Sequence, residues 1–265
     1  VKVWNLETGE EQLTLTGYSG SVLAVAVTAD GTRVISGSSN NFDSTVKVWN
    51  LETGEEQLTL TGYSGSVLAV AVTADGTRVI SGSWDHTVKV WNLETGVEQL
   101  TLTGHSNWVQ AVAVTADGKW VISGSWDHTV KVWNLETGVE QFTLTGHSNW
   151  VQAVAVTADG KWVISGSWDH TVKVWNLETG VEQLTLTGHS NWVQAVAVTA
   201  DGKWVISGSW DHTVKVWNLE TGEEIATFIG DNSFYSCAVT PNGLTIIAGD
   251  AGGIVHFLKL ENAGE

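Results

Sequence analysis

A segment of roughly 42 residues recurs along this chain almost letter for letter, closing each time on Thr-Val-Lys-Val-Trp-Asn-Leu-Glu-Thr-Gly. Its marker tryptophan stands at Trp4, Trp49, Trp91, Trp133, Trp175 and Trp217, and Phe257 reads as its replacement in the last copy. A fixed period in this range is the signature of solenoids, propellers and arrays, in which each unit buries its apolar face against its neighbours. Such an architecture spreads function over equivalent positions and argues against one catalytic pocket. The 265 residues therefore read as a single repeat domain, 1–265.

Residues 104–145 show what one repeat builds. The apolar run 108–114 is strand-like, and Thr115-Ala-Asp-Gly118 is a turn. Residues 119–123 form a second strand, Gly124-Ser-Trp-Asp-His128 a tight connection, and 129–133 alternates with period two as a half-buried strand should. Asn134-Leu-Glu-Thr-Gly138 then turns the chain into a fourth strand at 140–144. These strands, a to d, show no helical period. Four antiparallel strands per repeat suit a propeller blade, and closing blades into a ring protects edges that an open stack would expose. A content of 29 Gly and a single Pro fits many short strands joined by tight turns.

Gly104-His105, Ser123, Trp126-Asp127 and Val130-Lys-Val-Trp133-Asn134 resemble the WD-repeat family, with Asn134 where that family usually has the second Asp of its name-giving pair. The resemblance extends over the whole chain. It implies a hydrogen-bonded tetrad inside each blade, carried in full by three repeats: His105, Ser123, Asp127 and Trp133; His147, Ser165, Asp169 and Trp175; His189, Ser207, Asp211 and Trp217. An indole N–H only donates, a carboxylate only accepts, and imidazole and hydroxyl can link the two. A His-Asp-Ser set also brings a hydrolase triad to mind. Its repetition in blade after blade points to framework, because an enzyme needs one activated nucleophile. Two earlier repeats carry Tyr18 and Tyr63 in place of the tetrad His but keep Ser36, Asp43 and Trp49, and Ser81, Asp85 and Trp91. The last repeat has Asp231, Ala248, Gly252 and Phe257 at the four places, so its packing is expected to rest on Phe234, Tyr235, Ile246, Ile247, Phe257 and Leu258.

The fold expected is all-β: a propeller of four-stranded antiparallel blades, seven in number, with six as the alternative. Seven leaves the ring three strands short, all of them directly before Val1. With no Met in the chain and an opening inside a repeat, the sequence reads as part of something longer, incomplete at its N-terminus. In the six-bladed alternative, residues 10–16 close the last sheet as its fourth strand.

Strand polarity places the d–a and b–c connections on one face. That face collects Trp84, Trp126, Trp168 and Trp210 beside the turn Asp, and Trp108, Trp150 and Trp192 at the start of strand a, with Gln110, Gln152 and Gln194 two residues on. Trp offers large apolar area with one polar N–H, the profile of an interface hot spot. The competing reading is that these rings pack between blades. Trp120, Trp162 and Trp204, at the other end of strand b, read as packing residues. The acidic phrases at Glu7–Glu11, Glu52–Glu56 and Glu220–Glu224 read as a solvated face.

With 12 Lys+Arg against 29 Asp+Glu, the formal charge of −17 repels phosphate backbones and makes nucleic acid a poor partner. No run of apolar residues is long enough to span a membrane. The single Cys237 can form no internal disulfide and fits a cytoplasmic protein. His86, His128, His170 and His212 are separated by whole repeats, so neither a metal nor another cofactor is expected. The functional expectation is a non-enzymatic scaffold or sensor that holds a protein or peptide on the Trp-lined face; the alternative is a carbohydrate-binding propeller. The closing phrase Ile254-Val-His-Phe-Leu-Lys-Leu260 resembles the last blade of bacterial, cyanobacterial-type multidomain WD-repeat proteins. That resemblance implies a signalling domain upstream.

Overall fold

The computed structural model describes residues 1–5, 8–18, 20–39, 44–243 and 245–260. Tetrad candidate Asp43 and the acidic Glu7 lie outside the described residues. The chain divides into two compact units, Val1–Val114 and Thr115–Glu265.

The fourth blade, wholly in the second unit, shows how the repeat folds. Its strands a to d are Val151–Val156, Trp162–Ser167, Val172–Asn176 and Glu182–Leu186, antiparallel and adjacent in chain order. Each turn is set by one short polar side chain. Asp159 accepts the Thr157 hydroxyl at 2.6 Å and the Lys161 N–H at 3.1 Å, while Gly160 takes φ 70°. Asn176 Oδ1 accepts the N–H groups of Glu178 and Thr179 at 3.0 and 2.9 Å, an Asx turn ended by Gly180 at φ 71°. The asparagine in place of the family's second Asp thus folds the c–d turn.

Strands b and c are buried on both faces and d only at alternate positions, as expected when each blade lies between neighbours. Ile164, Val172, Val174 and Leu186 of the fourth blade pack with Val193, Val196, Val205 and Trp217 of the fifth. Close approach depends on Gly166 in strand b: a Cβ there would lie 2.8 Å from Val193 Cγ1 and 2.9 Å from Val196 Cγ1 of the next blade. Lys173 is nearly buried, its ammonium bonded to Glu182 at 2.9 Å and to Thr185 at 2.8 Å, 6.0 Å from the Trp175 ring centroid.

The first unit begins with a hairpin of Lys2–Trp4 and Glu11–Thr14. Two four-stranded blades follow: Ser21–Val27, Arg33–Ser39, Val46–Asn50 and Glu56–Leu60, then Val67–Val72, Arg78–Ser83, Val88–Asn92 and Glu98–Leu102. The third blade gives Val109–Val114 to the first unit and Trp120–Ser125, Val130–Asn134 and Glu140–Leu144 to the second. After the fourth blade come Val193–Val198, Trp204–Ser209, Thr213–Asn218 and Glu224–Ile229, and a last, three-stranded blade of Phe234–Val239, Thr245–Asp250 and Val255–Lys259.

Six strands of type a open six blades, so the expectation of seven is corrected to six, most of them four-stranded. The first two strands do not make a seventh blade, because they pair only as a two-stranded sheet. They act as a cover: Val1, Leu13 and Leu15 pack on Val34 and Trp49 of the first blade. Among the described residues strand Glu11–Thr14 pairs with Lys2–Trp4, and the last sheet has three strands, not the four expected with residues 10–16.

The last blade corrects a second reading. Val205 pairs with Trp217 in the fifth blade, and the equivalent Ile246 pairs with Leu258. Leu258, not Phe257, therefore holds the marker position. Phe257 points to the opposite side and is 59% exposed, and Tyr235 is also exposed. The blade's core is Phe234, Ile246 and Ala248, with Leu258 packed against them.

Cys237 packs against this core, its Sγ 3.9 Å from the Ile206 carbonyl, and burial pushes its thiol up to about 12. Native protein at pH 8 is therefore expected to react with a thiol reagent far more slowly than denatured protein. Equal rates would contradict this burial.

Candidate functional site

Two full tetrads lie within the second unit. Trp175 Nε1–H donates to Ser165 Oγ at 2.8 Å, Ser165 Oγ and His147 Nε2 are 2.8 Å apart, and His147 Nδ1 lies 2.7 Å from Asp169 Oδ2. Every group is satisfied if protons point one way, from indole to hydroxyl to neutral imidazole to carboxylate. The Trp217, Ser207, His189 and Asp211 set repeats this at 2.8, 2.7 and 2.7 Å. Burial alone would raise the Asp169 carboxyl, but His147, Thr171 and the Ser148 N–H together hold it well below the usual carboxylate range, and Asp211 behaves alike. In the third set, Trp133 donates to Ser123 at 2.8 Å, and His105 is buried.

The tyrosine blades use a shorter chain. Tyr63 and Ser81 hydroxyls meet at 2.6 Å, and Trp91 donates to Ser81 at 3.1 Å. Asp85 is left to order the loops, accepting the Ser64 N–H at 3.2 Å and the Thr87 hydroxyl at 2.6 Å. Tyr18 and Trp49 both bond Ser36 in the same manner. All of these polar atoms serve the blade's own framework.

The tryptophans of the d–a and b–c connections form a ladder in the second unit. Trp126 stacks on Trp150 with centroids 3.7 Å apart and planes 3° from parallel, and Trp168 stacks on Trp192 at 3.8 Å and 1°. Both stacks cross from one blade to the next. Within a blade the rings tilt: Trp150 meets Trp168 at 4.5 Å and 43°, and Trp192 meets Trp210 at 4.5 Å and 39°. Backbone bonds from Trp168 N–H to the Trp150 carbonyl and from Trp210 N–H to the Trp192 carbonyl fix these corners at 3.0 and 2.9 Å. Tyr235 closes the row edge-on to Trp210 at 5.7 Å. Three of the indole N–H groups are paired as well: Trp126 donates to Gln152 Oε1 at 3.2 Å, and Gln194, its amide oxygen turned to the rings, accepts from Trp168 and Trp210 at 3.2 Å each.

In the first unit, Trp84 and Trp108 stack at 4.4 Å and 14°, and Trp84 is 41% exposed. At the preceding junction Ser39 and Ser66 stand in their places, hydroxyls 2.6 Å apart. One junction geometry thus accepts either a Trp–Trp stack or a Ser–Ser hydrogen bond.

Two residues after each b–c loop tryptophan stands a strained histidine. His86, His128, His170 and His212 have φ of 70, 71, 70 and 67°, the left-handed region. The three-residue hairpin loop needs that conformation, closed by bonds such as His128 N–H to the Ser125 carbonyl at 3.2 Å. The last blade puts Gly253, at φ 82°, in the same place.

All seven sequence-predicted tryptophans are half-buried or exposed and ring-paired: six in the stacks, and Trp210 against Trp192 and Tyr235. The rings pack between blades, and they also line a surface. Trp162 and Trp204 pack against the blade cores. Sequence reasoning missed the Ser39–Ser66 pair, whose signal was alignment with two tryptophan positions, and missed Tyr235, which stands at the place of Gln194. Among the described residues no group of His, Cys, Asp and Glu is placed to hold a metal ion. Nor, among the described residues, is any helix long and apolar enough to cross a membrane.

The family model described as "WD domain, G-beta repeat" matches residues 9–50, 54–92, 96–134, 138–176 and 180–218. No match to a curated protein was found.

Proposed function

The chain belongs to the WD-repeat family, and from that premise we propose that it is a non-catalytic scaffold whose tryptophan ladder holds a protein or peptide partner. The observation that carries this reading is the ladder itself: Trp126, Trp150, Trp168, Trp192 and Trp210 form a continuous half-buried aromatic surface in which each ring is braced by another. Bracing fixes the rings before a partner arrives, so little side-chain entropy is lost on binding. Aromatic contacts of this kind contribute about 0.5–1.5 kcal/mol each beyond their buried area.

The same stacking bears on the carbohydrate alternative. A sugar needs an open ring face, and on this surface neighbouring rings cover faces of Trp150, Trp168 and Trp192. The ring edges and the polar groups beside them suit side chains of a polypeptide. In the parent protein such a domain would act as the recognition end of a cyanobacterial-type signalling chain in the cytoplasm, as the closing blade suggests.

Selection of a displayed random-peptide library on the immobilised domain tests the reading. Enrichment of apolar or aromatic peptides that compete with one another for one site is expected. Failure to enrich any peptide, with binding of oligosaccharides to the ladder instead, would sink it.

A further inference from the structure

Residues 104–145 and 146–187 are identical at every position except one: Phe142 in the first is Leu184 in the second. That difference falls at a cleft on the a–b and c–d turn side of the blades, away from the ladder. The Phe142 ring lies against Gly180 so closely that a Cβ there would come within 2.8 Å of Cδ1. At the next junction Leu184 stands 3.6 Å from the equivalent point on Gly222, and a cavity of about 510 Å³ opens. This volume lies within the usual range for small-molecule sites.

The cavity's lining is of two kinds. Trp162, Val174, Leu184 and Leu219 form an apolar wall, with Trp162 half-buried. Gln183, Lys203, Asn218 and Glu220 supply the polar groups. Asn218 Oδ1 is already committed to the N–H groups of Glu220 and Thr221, at 2.8 and 3.0 Å, so its amide nitrogen is the group it presents. The Leu219 N–H bonds the Lys203 carbonyl at 2.9 Å, tying the two turns that carry these residues into one wall. The rim therefore offers donors and acceptors together, with Glu220 opposite in charge to Lys203, whose ammonium also stands 3.7 Å from the Asp201 carboxylate. An anion would meet Glu220 and a cation Lys203.

We propose that this cavity is a binding site for a neutral pyranose sugar, which presents one apolar ring face to Trp162 and hydroxyls to the amide, ammonium and carboxylate groups. The proposal stands apart from the ladder and does not rest on it.

Protein labelled with ¹⁵N at tryptophan is titrated with methyl pyranosides, maltose and cellobiose while the indole N–H signals are followed. At least one sugar is expected to shift the Trp162 signal saturably. Leu184→Phe should weaken that binding at least tenfold without unfolding the blade, since the chain already accepts phenylalanine at the equivalent place. Phe142→Leu should create a second site that reports through Trp120. The proposal fails if no sugar gives a saturable shift at Trp162, if Leu184→Phe binds as well as wild type, or if the ladder indoles respond instead.

Discussion

Trp175→Ala is expected to lower the stability of the protein by about 3–5 kcal/mol, the cost of emptying a buried aromatic site. Trp175 is 1% exposed and packs in the fourth blade, with the His147 ring edge-on at 6.1 Å. Its N–H also anchors the polar chain through Ser165. Trp175→Phe separates the two contributions, because it keeps most of the volume and removes only the donor; a loss of about 1–2 kcal/mol is expected. The last blade already manages with Leu258 at this position, so fold is retained in both variants. Urea denaturation gives the numbers. Equal, small losses in both variants would show that the indole is not a keystone of the blade.

Asp169→Ala is expected to cost about 1–3 kcal/mol for the His147 Nδ1–H left buried without its acceptor. The His147 side chain is only 1% exposed, so water cannot readily replace the lost carboxylate. Loss of the bonds from Ser148 and Thr171 adds to the effect. This variant should also change the pH dependence. The Asp169 carboxyl is held below its ordinary value in the folded state, through His147 above all, against the opposing effect of burial. A depressed carboxyl contributes stability that is present above the unfolded-state pKa, about 3.9, and is lost as pH falls toward the folded value. Wild type should therefore lose stability steadily below about pH 5, and Asp169→Ala should lose less over the same interval. Parallel pH profiles for the two proteins would contradict the assignment.

The repeat made the blade legible in detail. Short-range chemistry decides its strands and turns, so the turns at Asp159 and Asn176 could be placed from one copy, while the tetrads were implied by the family resemblance. Blade number was not legible, because it depends on what the first two strands pair with. Lys2–Trp4 and Glu11–Thr14 have the sequence of a blade's c and d strands, yet they pair only with each other. The last blade was misread by one residue because no tryptophan marks its register; cross-strand pairing of Ile246 with Leu258 settles it.

The ladder shows a different limit. Sequence placed the tryptophans on one group of loops, and strand polarity was enough for that. Ring orientation depends on the distance between neighbouring blades, which no single repeat contains. The Ser39–Ser66 pair was a visible clue, since two serines replace two tryptophans that belong to different blades. The cleft at Leu184 was visible too, as the single mismatch between two copies, but its meaning needed the position of Gly222.

The central claim is that the braced tryptophans, and not the blades as such, hold the partner. The chain supplies its own control in the Ser39–Ser66 junction, so the variant Trp126→Ser, Trp150→Ser, Trp168→Ser, Trp192→Ser replaces two stacks with a pairing the fold already accommodates. The decisive measurement is calorimetric titration of both proteins with a peptide selected on wild type, after circular dichroism has established that the variant keeps its strands. A loss of affinity of at least a hundredfold, in a folded variant, is the predicted result. Unchanged affinity would contradict the account.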